Sequence, residues 1–182
     1  MSIGPLSGLM LQHMVLMNLV VPGLIYILGP TIPSTVSRYW PLATATQLAL
    51  LWVWHSPPAL GAAVSNPIIM LTMGASLTAA AAWFWLAIYA MPPTGRWGGV
   101  FALLVTGKLF CLLGALLVFA PRLLFVPMMR GPDVVAMSES LADQQLAGLV
   151  MLVVCPLIYV TAGVVLASRW FLRMEAESRA DG

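Results

Sequence analysis

The chain has 182 residues, 61% of them hydrophobic and 8% charged, with a formal net charge of +2. Soluble domains carry about 25% charged residues, so a chain this apolar has too little polar surface to face water on all sides and must face lipid. It holds no basic cluster of the kind a nucleic acid requires, and its two cysteines, Cys111 and Cys155, are too few for a disulfide framework and lack metal-type spacing.

The apolar runs are continuous and about 20 residues long, which suits helices crossing a ~30 Å hydrocarbon core; a barrel would need alternating strands of about ten residues. The pattern predicts an all-α polytopic membrane bundle with five spans. The first covers 6–28, with a kink at Pro22, and is read as a mature helix because no basic region precedes it. The second covers 41–60 and is interrupted at Pro57-Pro58. The third covers 67–91, the fourth 99–120, and the fifth 144–170 with Pro156 inside it. The loop 121–143 leads to Asp143, expected as the N-cap of the fifth helix. Residues 1–170 form one transmembrane domain, and 171–182 form a polar, frayed cytoplasmic tail.

Arginine placement sets the expected orientation. With the N-terminus outside, Arg38, Arg96, Arg169, Arg173 and Arg179 lie inside, against Arg122 and Arg130 outside. The chain's only histidines, His13 and His55, then fall in the outer third of the membrane, together with Met70, Met73, Asp143, Gln144 and Gln145.

Met10 and Met17 lie three and four residues from His13 and share its helix face. Met70 and Met73 repeat the i, i+3 spacing. Imidazole and thioether suit Cu(I), a soft ion, although any single methionine is first a packing residue. For His13 and His55 the reading is open between a metal and a structural hydrogen bond. Of Asp143, Gln144 and Gln145, at least one should point into the bundle, and Gln144 reads as part of a capped helix start. Lys108 lies mid-span in the fourth helix without an acid at its depth, where a lysine costs at least ~2.5 kcal/mol; a protein-facing position is expected. Cys111 and Cys155 share a depth, so contact between them is possible. No acid lies inside a span, and the chain shows no nucleophile–base pairing or phosphate-cradling glycine loop, so a non-enzymatic role is expected.

Several stretches resemble the CtaG-like cytochrome c oxidase assembly factors. Leu9-Met10-Leu11-Gln12-His13-Met14 is similar to that family's His-Met-x-Gln-His, and Trp52-Val53-Trp54-His55-Ser56-Pro57 to its Trp-x-Trp-His-x-Pro. Trp83-Phe84-Trp85 resembles its Phe-Trp-Trp, while 114–121 and 143–148 resemble two further blocks, all in the family's order. The resemblance implies a multi-pass protein of the bacterial inner membrane that helps mature the oxidase, with oxidase subunits or other assembly factors as partners and copper as cargo. The family is usually seven-helical, and this chain is expected to begin at its third helix. Leu9 stands where the family has a histidine, and another family histidine falls near Met73 or Gly74. Two readings are open. Met70 or Met73 replaces the lost histidine in a Cu(I) site with His13 and His55; or the chain is a metal-free accessory or scaffold of a respiratory oxidase.

Overall fold

The computed structural model describes residues 4–28, 32–125 and 134–180. Among the described residues there are helices and turns and no strand. Prolines open four of the helices, at Pro5, Pro41, Pro57 and Pro67, positions where the missing N–H has no intrahelical partner to lose.

The first crossing is α1 (Pro5–Val15), a π turn (Leu16–Val20) and α2 (Val21–Leu28). The expected irregularity at Pro22 takes the form of this π turn immediately before it. Pro22 has no N–H for the Asn18 carbonyl. The Val21 N–H reaches back to Leu16 O, five residues away. The Met17 carbonyl accepts instead from the Trp85 indole, at 3.1 Å.

A 3-10 turn (Ser34–Tyr39) leads into α3 (Trp40–Trp54). The predicted span 41–60 divides at His55-Ser56, and α4 (Pro57–Ser65) follows. Pro57 forces this break: the residue before a proline is pushed out of the helical region, and Ser56 has ψ 143°. Neither α3, with 15 residues, nor α4, with 9, has the length of a span, so the expected second span is not found as a single helix long enough to cross. Among the described residues, four helical stretches are long and apolar enough to cross a membrane singly: Pro5–Ile27, Pro67–Tyr89, Pro93–Phe119 and Glu139–Ala176.

Helices α5 (Pro67–Tyr89) and α6 (Arg96–Phe119) match their predicted spans within a few residues. The fifth span does not. Helix α7 runs from Val134 to Ala180 with Pro156 inside it, about 70 Å at 1.5 Å per residue. Asp143 is therefore not an N-cap of this helix but lies within it. The tail expected to fray continues the helix, with Glu175 and Arg179 paired at 2.6 Å one turn apart. Arg130 and Asp133, from the expected loop, fall outside the described residues.

Glycine sets the closest helix approach. At the α6–α7 crossing, a Cβ on Gly148 would lie 2.7 Å from the Gly114 carbonyl, and one on Gly114 would lie 2.9 Å from the Gly148 carbonyl. One turn and more away, Gly107 abuts the Tyr159 Cβ position. The Tyr159 ring is fully buried, stacked on Trp85 at 5.8 Å and flanked by Phe84 and Phe110. The outer faces of the helices are apolar, with Ile27, Leu71, Phe119 and Leu157 more than 60% exposed, as a lipid-facing bundle requires.

Lys108 corrects an expectation. It faces outward on α6, exposed and without an ion pair or hydrogen bond to any described residue. Helix α6 is apolar enough to carry it, with mean hydropathy 2.3 over its membrane window. An outward position predicts that Lys108→Leu changes the stability of the purified chain by no more than about 0.5 kcal/mol. A thermal melt followed by tryptophan fluorescence reads this; a loss of several degrees would mean that the lysine is packed against protein.

Candidate functional site

The buried face of α1 is a methionine stripe. Met10, Met14 and Met17 are spaced i, i+4 and i+7 and are 2%, 4% and 2% exposed, so they line one side of the helix. Each meets a different neighbour. Met10 Sδ lies 3.1 Å from His55 Nε2. Met14 Sδ lies 3.4 Å from Cys155 Sγ on α7. Met17 lies in the π turn that receives Trp85.

His55 sits at the α3–α4 break, buried, and its Nδ1 is 2.7 Å from the Leu51 carbonyl. His13 is half-buried, and its Nδ1 is 2.8 Å from the Leu9 carbonyl. A carbonyl only accepts, so in both rings Nδ1 carries a proton, and in the neutral form of either ring Nε2 holds the lone pair. This arrangement matches that of metal-binding histidines, in which a backbone acceptor holds the far nitrogen and aims the ligand. At His55 the free nitrogen faces a thioether, two soft lone-pair donors turned toward one another in a buried setting. Each histidine thus makes a backbone hydrogen bond through Nδ1, as the structural reading expects, and His55 in addition meets Met10 through Nε2.

The other named methionines are less closely engaged. Met73 is 2% exposed on α5, and Met70 is half-buried one turn earlier. The turn after Met73 carries Ser76, whose hydroxyl accepts from Trp54 Nε1 at 3.0 Å. That contact brings the Met73 turn against the end of α3, beside His55. Among the described residues, no group of three or more His, Cys, Asp or Glu gathers as a metal site, so any soft-metal site here draws on sulfur from methionine.

Asp143 and Gln144 clamp the same end of the bundle. The Asp143 carboxylate accepts from the backbone N–H groups of Gly4, Leu6 and Ser7 at 3.1, 2.9 and 3.2 Å, and from the Ser7 hydroxyl. It therefore caps α1 from α7, where its charge also suits the helix dipole. A Cβ at residue 4 would meet the Asp143 Cγ at 2.2 Å, which leaves room there for glycine alone. Gln144 is fully buried, not a surface cap: its Oε1 accepts from Leu124 N at 2.8 Å, and its Nε2 donates to the Arg122 carbonyl at 3.3 Å. Gln145 is exposed.

Cys155, Met14 and Trp85 were not singled out by sequence as one unit. The signal for Met14 was available: it completes the i, i+4, i+7 stripe, whereas attention to His13 selected 10, 13 and 17. Cys111 is half-buried and Cys155 buried, both as free thiols. Deeper in the bundle, Gln47 Nε2 donates to the Tyr159 hydroxyl at 2.9 Å. The side chain of Asn18, Gln47 Oε1 and Thr106 Oγ1 are buried without a hydrogen-bond partner among the described residues.

A family model described as the cytochrome c oxidase caa3 assembly factor matches residues 36–173. Among curated proteins and solved structures, none matches the chain.

Proposed function

Because the chain belongs to the cytochrome c oxidase caa3 assembly factor family, we propose that it serves oxidase maturation by holding Cu(I) at the α1–His55 contact and passing it on. The observation that carries this reading is the approach of His55 Nε2 to Met10 Sδ at 3.1 Å, both buried, across two helices far apart in sequence. His13, one turn from Met10, adds a second imidazole with its Nε2 free. Met70 and Met73 on α5, and Met17 two turns further along the same stripe, are the other thioethers of the expected set. Neutral nitrogen and sulfur donors select a soft monovalent ion over magnesium, calcium or zinc.

The chain acts on copper as cargo and performs no reaction of its own. Its partners are oxidase subunits or other assembly factors in the bacterial inner membrane. The clustering of Arg38, Arg96, Arg169 and Arg173 at one end supports an orientation with that end cytoplasmic. The His55–Met10 contact then lies toward the periplasm, the side from which the ion is delivered. Leu9, in place of a family histidine, favours a second reading, a metal-free scaffold on the oxidase.

Copper analysis of the full chain, purified from copper-replete cells, separates the two. Stoichiometric copper is expected, reduced at least tenfold in the His13→Ala, His55→Ala double variant while the melting temperature is kept. Copper-free protein overturns the copper reading. Normal copper in the oxidase of cells carrying the double variant, with the chain still co-purifying, establishes the scaffold.

A further inference from the structure

At the arginine-rich end, α2, α5, α6 and α7 enclose a cavity of about 340 Å³. It is remote from the His55–Met10 contact, and its chemistry does not depend on copper. Tyr26, Tyr89, Arg96 and Arg169 supply its polar wall, and Leu103 and Leu166 are among the apolar residues of the rest. No acidic residue lines it. Among the described residues, no carboxylate pairs with Arg96 or Arg169.

Arg96 is the unusual member. Its Nη1 is buried and has no hydrogen-bond partner among the described residues. Arg96 as a whole is half-buried, and the buried end of its guanidinium has no counter-charge or acceptor there to offset its lost hydration. Arg96 also opens α6, whose N-cap, Gly95, brings no side-chain acceptor, so the positive end of the helix dipole adds to the same field. The cavity thus presents fixed positive charge and two phenol hydroxyls beside an apolar wall, at the level where lipid headgroups lie.

We propose that this cavity binds the phosphate of an anionic phospholipid, with Arg96 and Arg169 on the phosphate oxygens and the start of an acyl chain along Leu103 and Leu166. The shared chemistry is a phosphate anion, and the apolar wall selects the lipid over the free ion. Basic pockets between spanning helices on the cytoplasmic side bind lipid headgroups in this manner.

The test uses the full chain in detergent, titrated with dioleoyl phosphatidylglycerol, dioleoyl phosphatidylcholine or inorganic phosphate, with thermal stability as the readout. A saturable rise in melting temperature with phosphatidylglycerol is expected, with apparent affinity at least tenfold weaker in the Arg96→Gln, Arg169→Gln variant. Arg169 is exposed, so Arg169→Gln alone carries the test if loss of Arg96 impairs folding. Arg122→Gln, at the opposite end, should bind as the unaltered chain does. An equal response to phosphatidylcholine, or a response unchanged in the Arg169 variants, overturns the site. An equal loss in Arg122→Gln reduces it to general charge attraction and overturns it too. Inorganic phosphate producing the same Arg169-dependent rise would assign the cavity to the free ion and overturn the lipid.

Discussion

Gly148→Leu is expected to abolish the folded bundle. At this position α6 and α7 touch backbone to backbone. A Cβ would meet the Gly114 carbonyl and the Leu117 Cβ at 2.7 Å each, and Val118 Cγ2 at 2.9 Å. The carbonyl cannot rotate away, so the helices themselves must part. Inside a bilayer no hydrophobic gain holds helices together; close packing does, which is why small residues gather at such crossings. Gly148→Ala should cost about 1–3 kcal/mol, the range for overpacking, and leucine, several times larger, should exceed what the fold tolerates. The readout is the monodisperse fraction after detergent extraction, with the melting temperature for the alanine variant. Gly74 is the control: nothing lies within 4 Å of its Cβ position, so Gly74→Ala should be neutral or slightly stabilising through helix propensity. Wild-type yield and melting of Gly148→Leu would show that the crossing is not where the bundle is held.

The effect should spread beyond the crossing, because α7 is the element on which the others are registered. It bears Asp143 under the start of α1, Cys155 against Met14, and Tyr159 against Gln47 and Gly107. A shift of α7 by one side chain would break contacts along its whole membrane length.

The all-α membrane class and four of the five expected spans were legible because lipid imposes a simple rule: apolar runs of fixed length must be helical. Proline broke that legibility in two places. Pro57 divides the expected second span into two short helices and presents His55 at the break. Pro22 is felt as far back as Leu16, where the π turn frees a carbonyl for Trp85. The extent of α7 was hidden for a different reason. Its start is a short apolar turn, 134–137, followed by the polar stretch 138–145, and hydropathy cannot distinguish such a helix from a loop. The same polar stretch concealed what Asp143 does. A carboxylate near an expected helix start reads as that helix's own cap, and only tertiary structure shows that it caps α1, 137 residues away at Leu6. At the candidate site the residue types were readable and the pairing was not: His55 with Met10 depends on the depth at which α3 stops.

Asp143→Ala is the second large effect, and it connects the clamp to the site. The carboxylate holds three backbone N–H groups and the Ser7 hydroxyl. Hydrogen bonds to a charged group contribute about 1.5–3 kcal/mol each and do not add. Water at the helix end takes over part of the loss, so a net cost of about 3 kcal/mol is expected, falling on α1 before the rest of the bundle. Asp143→Asn keeps one acceptor oxygen but turns an amide N–H₂ toward backbone N–H groups, so it should recover only part of the stability. Hydrogen exchange localises the change: amides of Leu6 to Val15 should lose protection while those of α6 keep it. Met10 and His13 ride on α1, so under the proposed Cu(I) reading the copper retained by the purified chain should fall in the same variant, although Asp143 is no ligand. Unchanged protection across α1 in Asp143→Ala would mean that the carboxylate does not hold this helix in place. Loosened α1 with undiminished copper would instead detach the metal from the methionine face of that helix.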